Sequence, residues 1–262
     1  MNAPLPLSVA IVCRDNEATI RRTLESVSGL ASEVVALDSG SADGTIAILE
    51  EFGARVQRVA WQGHVRTKQL ALQACSQPWV LALDSDESLT TALRESVARV
   101  VGGAAPEVGG FEINRKVWWR GSFLEHAWQP EWRLRLVRRE WAAWGGSDPH
   151  DRLEVFRDGA PARVERIGGD LRHDAFATIG EFLDKQVKLS RIAAESAYRE
   201  GRRGSAWALA TRPVAAWAKQ VVIKGAWRDG WRGWCAASAV GAAALMKHAM
   251  LLERTRAGDE RA

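Results

Sequence analysis

The chain has 262 residues, of which 47% are hydrophobic and 26% charged, and its formal net charge is +4. This composition is typical of one large globular domain, or of one domain with an appendage. The mildly basic balance excludes a histone-like protein. It leaves phosphate-bearing partners open, including nucleotides, anionic lipids and nucleic acid.

Three cysteines, Cys13, Cys75 and Cys235, are scattered along the chain and form no CxxC pair. This spacing argues against a disulfide framework and a zinc knuckle, and it favours a reduced, cytoplasmic setting. The first residues lack the basic and apolar regions of a signal peptide. No uninterrupted apolar run reaches the roughly 20 residues that a membrane span needs. The nearest is Cys235–Met246, which ends at Lys247.

Apolar strands alternate with amphipathic helices through the first hundred residues. The predicted strands are Leu7–Val12, Glu33–Leu37, Arg55–Val59 and Trp79–Leu83. Helices are predicted between them and after the last one, because apolar residues recur there at helical spacing. This alternation predicts an α/β fold with a mostly parallel sheet that is covered on both faces. Ligands of such folds bind beyond the carboxyl ends of the strands. We therefore expect one crevice to bring together Arg14, Asp38, Asp84 and Asp86.

The pattern changes after Gly102. Segments Gly109–Trp119 and Trp132–Arg138 alternate like β-strands, and the second places Arg133 and Arg135 on the face opposite its apolar residues. From Thr178 onward the chain is predicted to be helical. Thr178 and Glu181 form a capping-box signature, and a small-residue helix is expected over Ala236–Leu252.

Tryptophan is strongly over-represented, with 13 residues against one tyrosine, and many tryptophans of the second half lie beside Arg or Lys. Indole rings next to cations suit a membrane–water interface, where the ring sits at headgroup depth and the cation meets lipid phosphate. The alternative is that these rings pack the helices onto the core. We expect about half of them to do so and the rest to attach the chain to a membrane surface.

Two acidic residues separated by one residue, Asp84 and Asp86, follow a buried strand directly. This spacing lets one carboxylate bind a divalent cation while the other contacts the ligand. Mg²⁺ and Mn²⁺ prefer oxygen ligands and are often shared with substrate phosphates. The alternative is a solvated acidic turn before a helix, in which Glu87 and Ser88 only decorate the helix N-terminus.

Four further positions are each ambiguous when taken alone. Asp38 fits an Asx turn as well as a ligand contact. Arg14 is either a surface charge or a phosphate clamp, and Arg66 lies on a helix face where most charges are solvated. Asp151, in the polar loop after a β region, is either a general base or a turn residue paired with Arg152.

Taken in order, these motifs resemble the inverting glycosyltransferase family 2. The resemblance is carried by SVAIVCRDNEATIRRTLESV, EVVALDSGSADGT and WVLALDSDE. The later segments QPEWRLRLVRR, DPHDRL, GDLRHDAF and KGAWRDGWRGWCAASA are similar to the lipopolysaccharide core, β-1,4-glucosyltransferase-like subgroup. Together they cover nearly the whole chain.

The resemblance implies a GT-A fold, a nucleotide-diphosphate sugar donor (most often UDP-linked) and a divalent metal. It implies that Asp86 binds the metal and that Asp151 is the catalytic base, with His150 as a candidate metal or diphosphate contact. The positions it implies for donor binding are Glu17, Asp38, Arg66 and Asp84. Beside these, we expect Arg14 to clamp a donor phosphate and Arg133 or Arg135 to help stabilise the leaving diphosphate. Two departures concern the acceptor side: the subgroup commonly has His-Glu at His150-Asp151, and a Pro-Asp motif where this chain has Gln129-Pro130-Glu131.

The resemblance therefore implies an inverting hexosyltransferase with a lipid-linked glycan acceptor, such as lipopolysaccharide core, and we expect it at the inner face of the cytoplasmic membrane. We expect a catalytic domain over residues 1–175 and a Trp/Arg-rich helical extension over residues 176–262. A polyprenyl-phosphate-linked glycan is the alternative acceptor. A nucleotidyltransferase is disfavoured because CRDNEAT lacks the glycines of a triphosphate loop. A nucleic-acid-binding module is disfavoured because the aromatic residues fall in helices and the charge is modest.

Overall fold

The computed structural model describes residues 3–147 and 150–259. The chain forms two compact units. The first comprises Met1–Arg115 and Glu131–Asp174, and the second comprises Lys116–Pro130 and Ala175–Ala262. The division into a catalytic domain over residues 1–175 and a helical extension over residues 176–262 stays a prediction. The short segment Lys116–Pro130 belongs to the second unit, which the sequence pattern did not indicate.

The strands of the described chain are as follows: β1 (Leu5–Cys13), β2 (Ala31–Asp38), β3 (Arg55–Arg58), β4 (Trp79–Asp84), β5 (Glu87–Leu89), β6 (Val108–Trp119), β7 (Ser122–Phe123), β8 (Trp132–Arg138), β9 (Ala142–Ser147), β10 (His150–Arg157), β11 (Ala160–Pro161) and β12 (Arg163–His173). The helices are α1 (Glu17–Val27), α2 (Thr45–Glu51), α3 (His64–Ala74), α4 (Thr91–Gly103), α5 (Ile179–Arg199), α6 (Ala206–Ala218) and α7 (Gly230–Asp259).

The main sheet of the first unit has the order β3-β2-β1-β4-β8-β6-β12-β5. Its first four strands are parallel, and β4–β8, β8–β6 and β12–β5 pair antiparallel. The predicted α/β fold with a C-terminal helical extension is confirmed. The sheet is mixed because each of the first three strands is followed by a crossover helix, whereas no long helix separates the strands after α4.

Both faces of the parallel part are buried. Along β1, Val9 and Ile11 pack on one face with Leu81 of β4, while Ala10 packs on the other face with Val35 of β2. Successive strand residues point to opposite faces, so the run of apolar residues in the sequence fills two cores at once. Burying each large aliphatic side chain stabilises the fold by about 1.5–3 kcal/mol. The rigid parallel strands hold their carboxyl ends in place.

A smaller antiparallel sheet, β11-β10-β9, also belongs to the first unit. Its β9–β10 hairpin contacts α3, where the Gln69 side-chain oxygen accepts the backbone N–H of Trp144 at 2.8 Å. Asp151 on β10 pairs with Gly146 on β9. The loop residues Asp148 and Pro149, and the side chain of His150, lie outside the described part of the chain.

The second unit is built on α5, α6 and α7. Helix α5 begins as the capping box predicts, since the Thr178 hydroxyl accepts the Glu181 backbone N–H at 3.2 Å. Helix α7 packs against both α5 and α6. Its small residues Ala236, Ala237 and Ala239 are buried there. At Gly204, a Cβ atom would lie 2.4 Å from the backbone of Leu252, so only glycine allows this close approach.

Within the described residues, one helical segment, Ala226–Gly258, is long and apolar enough to cross a membrane, with a mean hydropathy of 1.5. The predicted absence of an uninterrupted apolar run of about 20 residues still describes the sequence, because Lys247 and His248 interrupt this segment. Length and composition alone do not distinguish a membrane span from the central helix of a packed unit. Helix α7 has such packing against its two neighbours.

Candidate functional site

The loops after β1 and β2 are joined by carboxylates. Glu17 accepts the backbone N–H of Gly44 at 3.0 Å, and Asp15 accepts that of Ala42 at 2.8 Å. Asp38 is fully buried at the end of β2. Its carboxylate accepts the backbone N–H groups of the following loop and the hydroxyl of Ser41. In this structure Glu17 and Asp38 therefore shape the loops at the strand ends.

Asp84 ends β4 among three cations. Its carboxylate lies 2.7 Å from Arg135 on β8, 2.8 Å from Lys68 on α3 and 3.8 Å from Arg115 on β6. Burial acts to raise the pKa of Asp84, but Arg135 and Lys68 outweigh it and hold the pKa well below its usual range. Asp84 is thus a fixed carboxylate anion at the strand end.

Glu87, on the short strand β5, organises this charge cluster. It is fully buried, and its carboxylate lies 2.6 Å from Arg135 and 3.2 Å from Arg115. Its other oxygen accepts the backbone N–H of Asp84 at 3.0 Å. Burial acts to lower the pKa of Arg135, but Asp84 and Glu87 raise it above its ordinary value. The interpretation of Glu87 as helix decoration was wrong, because a buried guanidinium needs carboxylate partners.

Asp86 lies beside a residue to which the sequence analysis assigned no role. The Nε2 atom of His173, near the end of β12, is 3.4 Å from the Asp86 carboxylate. The other ring nitrogen of His173 is buried without a hydrogen-bond partner among the described residues. No group of three or more His, Cys, Asp or Glu side chains in the described chain could hold a metal alone. One carboxylate and one imidazole suit Mn²⁺ or a similar cation whose remaining ligands come from phosphate and water.

Asp151 is held by Lys68 rather than by its neighbour Arg152. The Lys68 Nζ atom lies 2.9 Å from the Asp151 carboxylate, and the same atom contacts Asp84. Lys68 was not among the predicted site residues, because a lysine on a helix is usually a solvated charge. A long-range contact of this kind leaves no local signal in a single sequence.

These charges line a cavity of about 580 Å³ in the first unit. Its wall contains two tryptophans (Trp132 and Trp144), five cations (Lys68, Arg115, Arg133, Arg135 and Arg152) and four carboxylates (Asp84, Glu112, Asp151 and Glu154). The predicted residues Asp84, Arg133, Arg135 and Asp151 therefore share one cavity. Arg133 is exposed at the cavity wall and pairs with Glu131 at 2.7 Å.

The other predicted residues lie apart from this cavity wall. Arg14 is exposed and lies 3.6 Å from Asp15. Arg66 is exposed and lines a separate depression of about 340 Å³ together with Gln62 and Trp144. Asp86 sits with His173, two residues after Asp84. Donor binding by Arg14, Glu17, Asp38 and Arg66 stays a prediction, as does a contact by His150.

Comparisons with known proteins place the chain in one family. The family model Glycosyl transferase family 2 matches residues 8–150, more than half of the chain. The lipopolysaccharide core biosynthesis glycosyltransferase LpsC of Rhizobium meliloti is 30% identical over 95% of this chain and 93% of the relative. An uncharacterised glycosyltransferase of Rickettsia typhi is 25% identical over 79% of this chain and 73% of its own length.

Among solved structures, the chain is similar to glucosyl-3-phosphoglycerate synthase from Mycobacterium tuberculosis, in complex with Mn²⁺, UDP and phosphoglyceric acid. That likeness has 22% sequence identity and a TM-score of 0.46, and it covers 77% of this chain and 80% of the other.

Proposed function

This chain is a member of glycosyl transferase family 2 with an α/β fold of the GT-A type, and on that premise we propose that it is an inverting, metal-dependent hexosyltransferase. The donor is a nucleotide-diphosphate sugar, UDP-hexose first among them, and the acceptor is a lipid-linked glycan such as lipopolysaccharide core. The observation that carries this proposal is the cavity in which Lys68 joins Asp84 to Asp151. Asp84, the proposed donor-side carboxylate, and Asp151, the proposed proton acceptor, line the same cavity.

In the proposed reaction the acceptor hydroxyl loses its proton to Asp151. Its oxygen attacks the anomeric carbon from the face opposite the diphosphate, which inverts the configuration as the bond to the leaving nucleotide breaks. Arg135 and Arg133 are the cations on this cavity wall that would stabilise the leaving diphosphate. Asp84 would contact the donor sugar, with Arg14, Glu17, Asp38 and Arg66 on the nucleotide side.

The metal in this proposal, Mg²⁺ or Mn²⁺, would be held by Asp86 together with His173, and a contact from His150 is part of the same prediction. When bound, such a cation neutralises negative charge on the diphosphate. The 3.4 Å distance between the Asp86 carboxylate and His173 Nε2 supports this assignment, because a carboxylate oxygen and an imidazole nitrogen are both metal-ligand types. Asp86 directly precedes β5, and His173 ends β12, the strand that pairs with it.

The lipid-linked acceptor is supported by the relative LpsC, whose name assigns it to lipopolysaccharide core biosynthesis. A polyprenyl-phosphate-linked glycan is the alternative within the same chemistry. The proposal includes no nucleic-acid partner. It places the protein at the cytoplasmic membrane's inner face, where nucleotide sugars and the lipid end of such acceptors meet.

The second unit supports attachment to a membrane surface by its exposed apolar side chains. Of the 13 large hydrophobic residues exposed in the described chain, ten belong to this unit: Leu189, Ile192, Trp207, Val214, Val222, Ile223, Trp227, Trp231, Trp234 and Leu245. Helix α6 has no buried residue, yet it carries a single charged side chain, Arg212. A helix that is both exposed and apolar is unusual for a surface that faces water alone.

The charge of this region suits an anionic surface. Between Ser205 and Leu252 the sequence contains six Lys or Arg residues and one acid, Asp229. Asp229 is itself turned inward, since its side chain is 4% exposed and binds His126. The exposed cations and indole rings together would meet lipid phosphates and the headgroup layer. We therefore propose an anionic phospholipid surface as the partner of the C-terminal helices.

Thermal stabilisation by nucleotides tests the donor assignment. UDP, GDP, ADP and CDP would each be added with and without Mn²⁺, and a ligand at about a hundredfold its Kd adds on the order of 2.7 kcal/mol to the unfolding free energy. We expect a metal-dependent shift with UDP that is lost in Asp86→Ala. A UDP shift of equal size in Asp86→Ala would contradict the metal assignment, and no shift with any nucleotide would contradict the donor assignment.

Transfer to purified core acceptors then tests the reaction itself, and the anomeric configuration of the product tests inversion. Asp86→Ala should lower transfer by about 10²–10³-fold, because it removes charge stabilisation at the leaving group. A fully active Asp86→Ala enzyme, or a product with retained configuration, would refute this mechanism.

Vesicle flotation of the full chain tests the membrane proposal. We expect flotation with vesicles containing phosphatidylglycerol, weaker flotation with neutral phosphatidylcholine, and loss of both in the combined Trp207→Ser, Val222→Ser and Ile223→Ser variant. Trp61→Ser, which changes an exposed tryptophan of the first unit, is the matched control and should float as the unaltered protein does. If the unaltered protein stays unbound, the membrane proposal fails while the transfer reaction is untouched.

A further inference from the structure

Lys68 joins two carboxylates that come from distant parts of the chain. Its Nζ atom lies 2.8 Å from Asp84 Oδ1 and 2.9 Å from Asp151 Oδ2. The three residues belong to α3, β4 and β10, and no local sequence pattern links them. The Lys68 side chain is 14% exposed, so this ammonium group is largely shielded from water.

The backbone around Lys68 is fixed on both sides. Thr67 is fully buried, and its hydroxyl accepts the backbone N–H of Gln62 at 3.2 Å. Gln69 binds the backbone of Trp144, and the Trp144 ring lies 4.7 Å from the Lys68 ammonium. A lysine is ordinarily a mobile charge on a flexible stem. Here the helix, the β9–β10 hairpin and an aromatic face restrict it to one direction.

The two carboxylates depend on Lys68 to different degrees. Asp84 keeps Arg135 at 2.7 Å if Lys68 is removed. Among the described residues, Lys68 is the one cation within ion-pair distance of Asp151. Loss of the Lys68 ammonium group would therefore leave Asp84 paired with Arg135. It would release the Asp151 carboxylate, whose side chain is 15% exposed. An ionised group in such a place needs a partner or it turns toward water.

We propose that Lys68 is a positioning residue for sugar transfer: it holds the Asp151 carboxylate at a fixed place opposite Asp84, on the cavity wall where the acceptor hydroxyl must arrive. The inference rests on the proposed role of Asp151 as the base. Lys68 acts through that carboxylate, and an ammonium group has a third proton that is available to a ligand in the cavity. The consequence is that proton removal, rather than donor binding, depends on Lys68.

The test is a double-mutant cycle on the full chain with Lys68→Met, Asp151→Asn and their combination. We expect Lys68→Met to lower kcat by about 100-fold, the size of loss that misplacing a reacting group by an ångström can cause. The KM for the nucleotide sugar should stay close to that of the unaltered protein. The double variant should be no slower than Asp151→Asn alone, because the two residues act as one unit.

Two further variants separate positioning from a general structural role. Lys68→Arg keeps the charge and should recover part of kcat, since its planar fork fits the same gap less well than an ammonium group. Gln73→Met, an exposed position on the same helix, is the matched control and should leave kcat unchanged. Losses that multiply in the double variant, or a raised donor KM with unchanged kcat, would overturn the proposal.

The same cycle is also measured by thermal unfolding, which requires no substrate. We expect the Tm losses of Lys68→Met and Asp151→Asn to be strongly non-additive, because each removes the same ion pair. Additive Tm losses would overturn the Lys68–Asp151 pairing whatever the transfer assay gives. If the Tm cycle shows coupling but Asp151→Asn transfers at the full rate, the assignment of Asp151 as the base fails, and the positioning role fails with it, whereas the nucleotide shifts still report donor binding.

Discussion

The two units of this protein depart from ordinary burial in opposite ways. The first buries charges: Glu87 is fully buried and Arg135 is 5% exposed, next to the apolar side chains of the sheet. The second exposes apolar groups, with Trp207 77% and Ile223 75% exposed. Each arrangement costs stability in a chain that needs only to fold in water. Departures of this kind are expected where a protein has binding surfaces in addition to a folded core.

The buried charges should be the most sensitive part of the molecule. Glu87→Gln leaves Arg135 and Arg115 short of one carboxylate, and breaking a buried ion network from one side costs about 3–5 kcal/mol. Chemical denaturation measures this loss. Glu95→Gln, an exposed glutamate on α4, is the control and should be close to neutral. A Glu87→Gln protein as stable as the control would mean that the cluster is not held by charge pairing.

Within the second unit, Asp229 is the counterpart of Glu87. Its carboxylate accepts three consecutive backbone N–H groups, from Glu125, His126 and Ala127, at 2.8–3.0 Å. Asp229→Ala should cost about 1–3 kcal/mol, because these donors lose their acceptor. Hydrogen exchange should show faster exchange at these amides, whereas Asp184→Ala on the exposed side of α5 should leave them protected. Unchanged exchange in Asp229→Ala would remove the parallel between the two units.

Acid should weaken the first unit through Glu131. Burial acts to raise the pKa of Glu131, but hydrogen bonds and charge attraction from Arg115 outweigh it and lower the pKa below its usual value. A carboxyl group with a lowered folded-state pKa contributes stability above its unfolded pKa of about 4.3, and this is lost as the pH falls below that value. Unfolding between pH 7 and pH 3 should therefore show a smaller acid loss in Glu131→Gln than in the unaltered protein. If the unfolding free energies of the two proteins fall in parallel as the pH falls, Glu131 does not contribute to acid sensitivity.

The exposed apolar groups should be the least sensitive to substitution. Trp207→Gln should change the unfolding free energy by no more than about 0.5 kcal/mol, because this ring makes little contact with the folded chain. The matched substitution Trp119→Gln removes a buried ring that packs against Phe176 and should be strongly destabilising. A large loss of unfolding free energy in Trp207→Gln would show that this ring stabilises the second unit. The exposed apolar groups would then contribute to folding, as the buried charges of the first unit do.

Local patterns were sufficient to predict most of the fold. The alternation of strands and helices predicted the first four parallel strands. Residue spacing also predicted that Asp84 lies at the end of a strand and that Thr178 caps a helix. The mixed character of the sheet did not follow, because strand order depends on how β6, β8 and β12 return to β4. Pairing between distant strands leaves no periodic signal in one sequence.

The missed residues share one physical property. Each contacts a partner that is distant in the sequence: Lys68 contacts Asp151, Glu87 contacts Arg135, and His173 contacts Asp86. Each also belongs to a residue type that is usually solvated. A buried arginine offers an indirect signal. Arg135 alternates with apolar residues of a central strand, so it calls for buried carboxylates nearby. By that rule, Arg135 on β8 predicts a buried carboxylate partner, and Glu87 is that partner.

The charge cluster also sets an order of assembly during synthesis. Asp84 and Glu87 leave the ribosome well before Arg115 and Arg135, which neutralise them, and Asp151 follows later still. Until β8 has joined β4, a nascent chain carries the acidic motif without the cations that fix it. A ribosome-bound chain that ends before Arg135 therefore has Asp84 and Glu87 but lacks a formed charge cluster. The cavity lined by these charges is complete only when the last of these strands is in place.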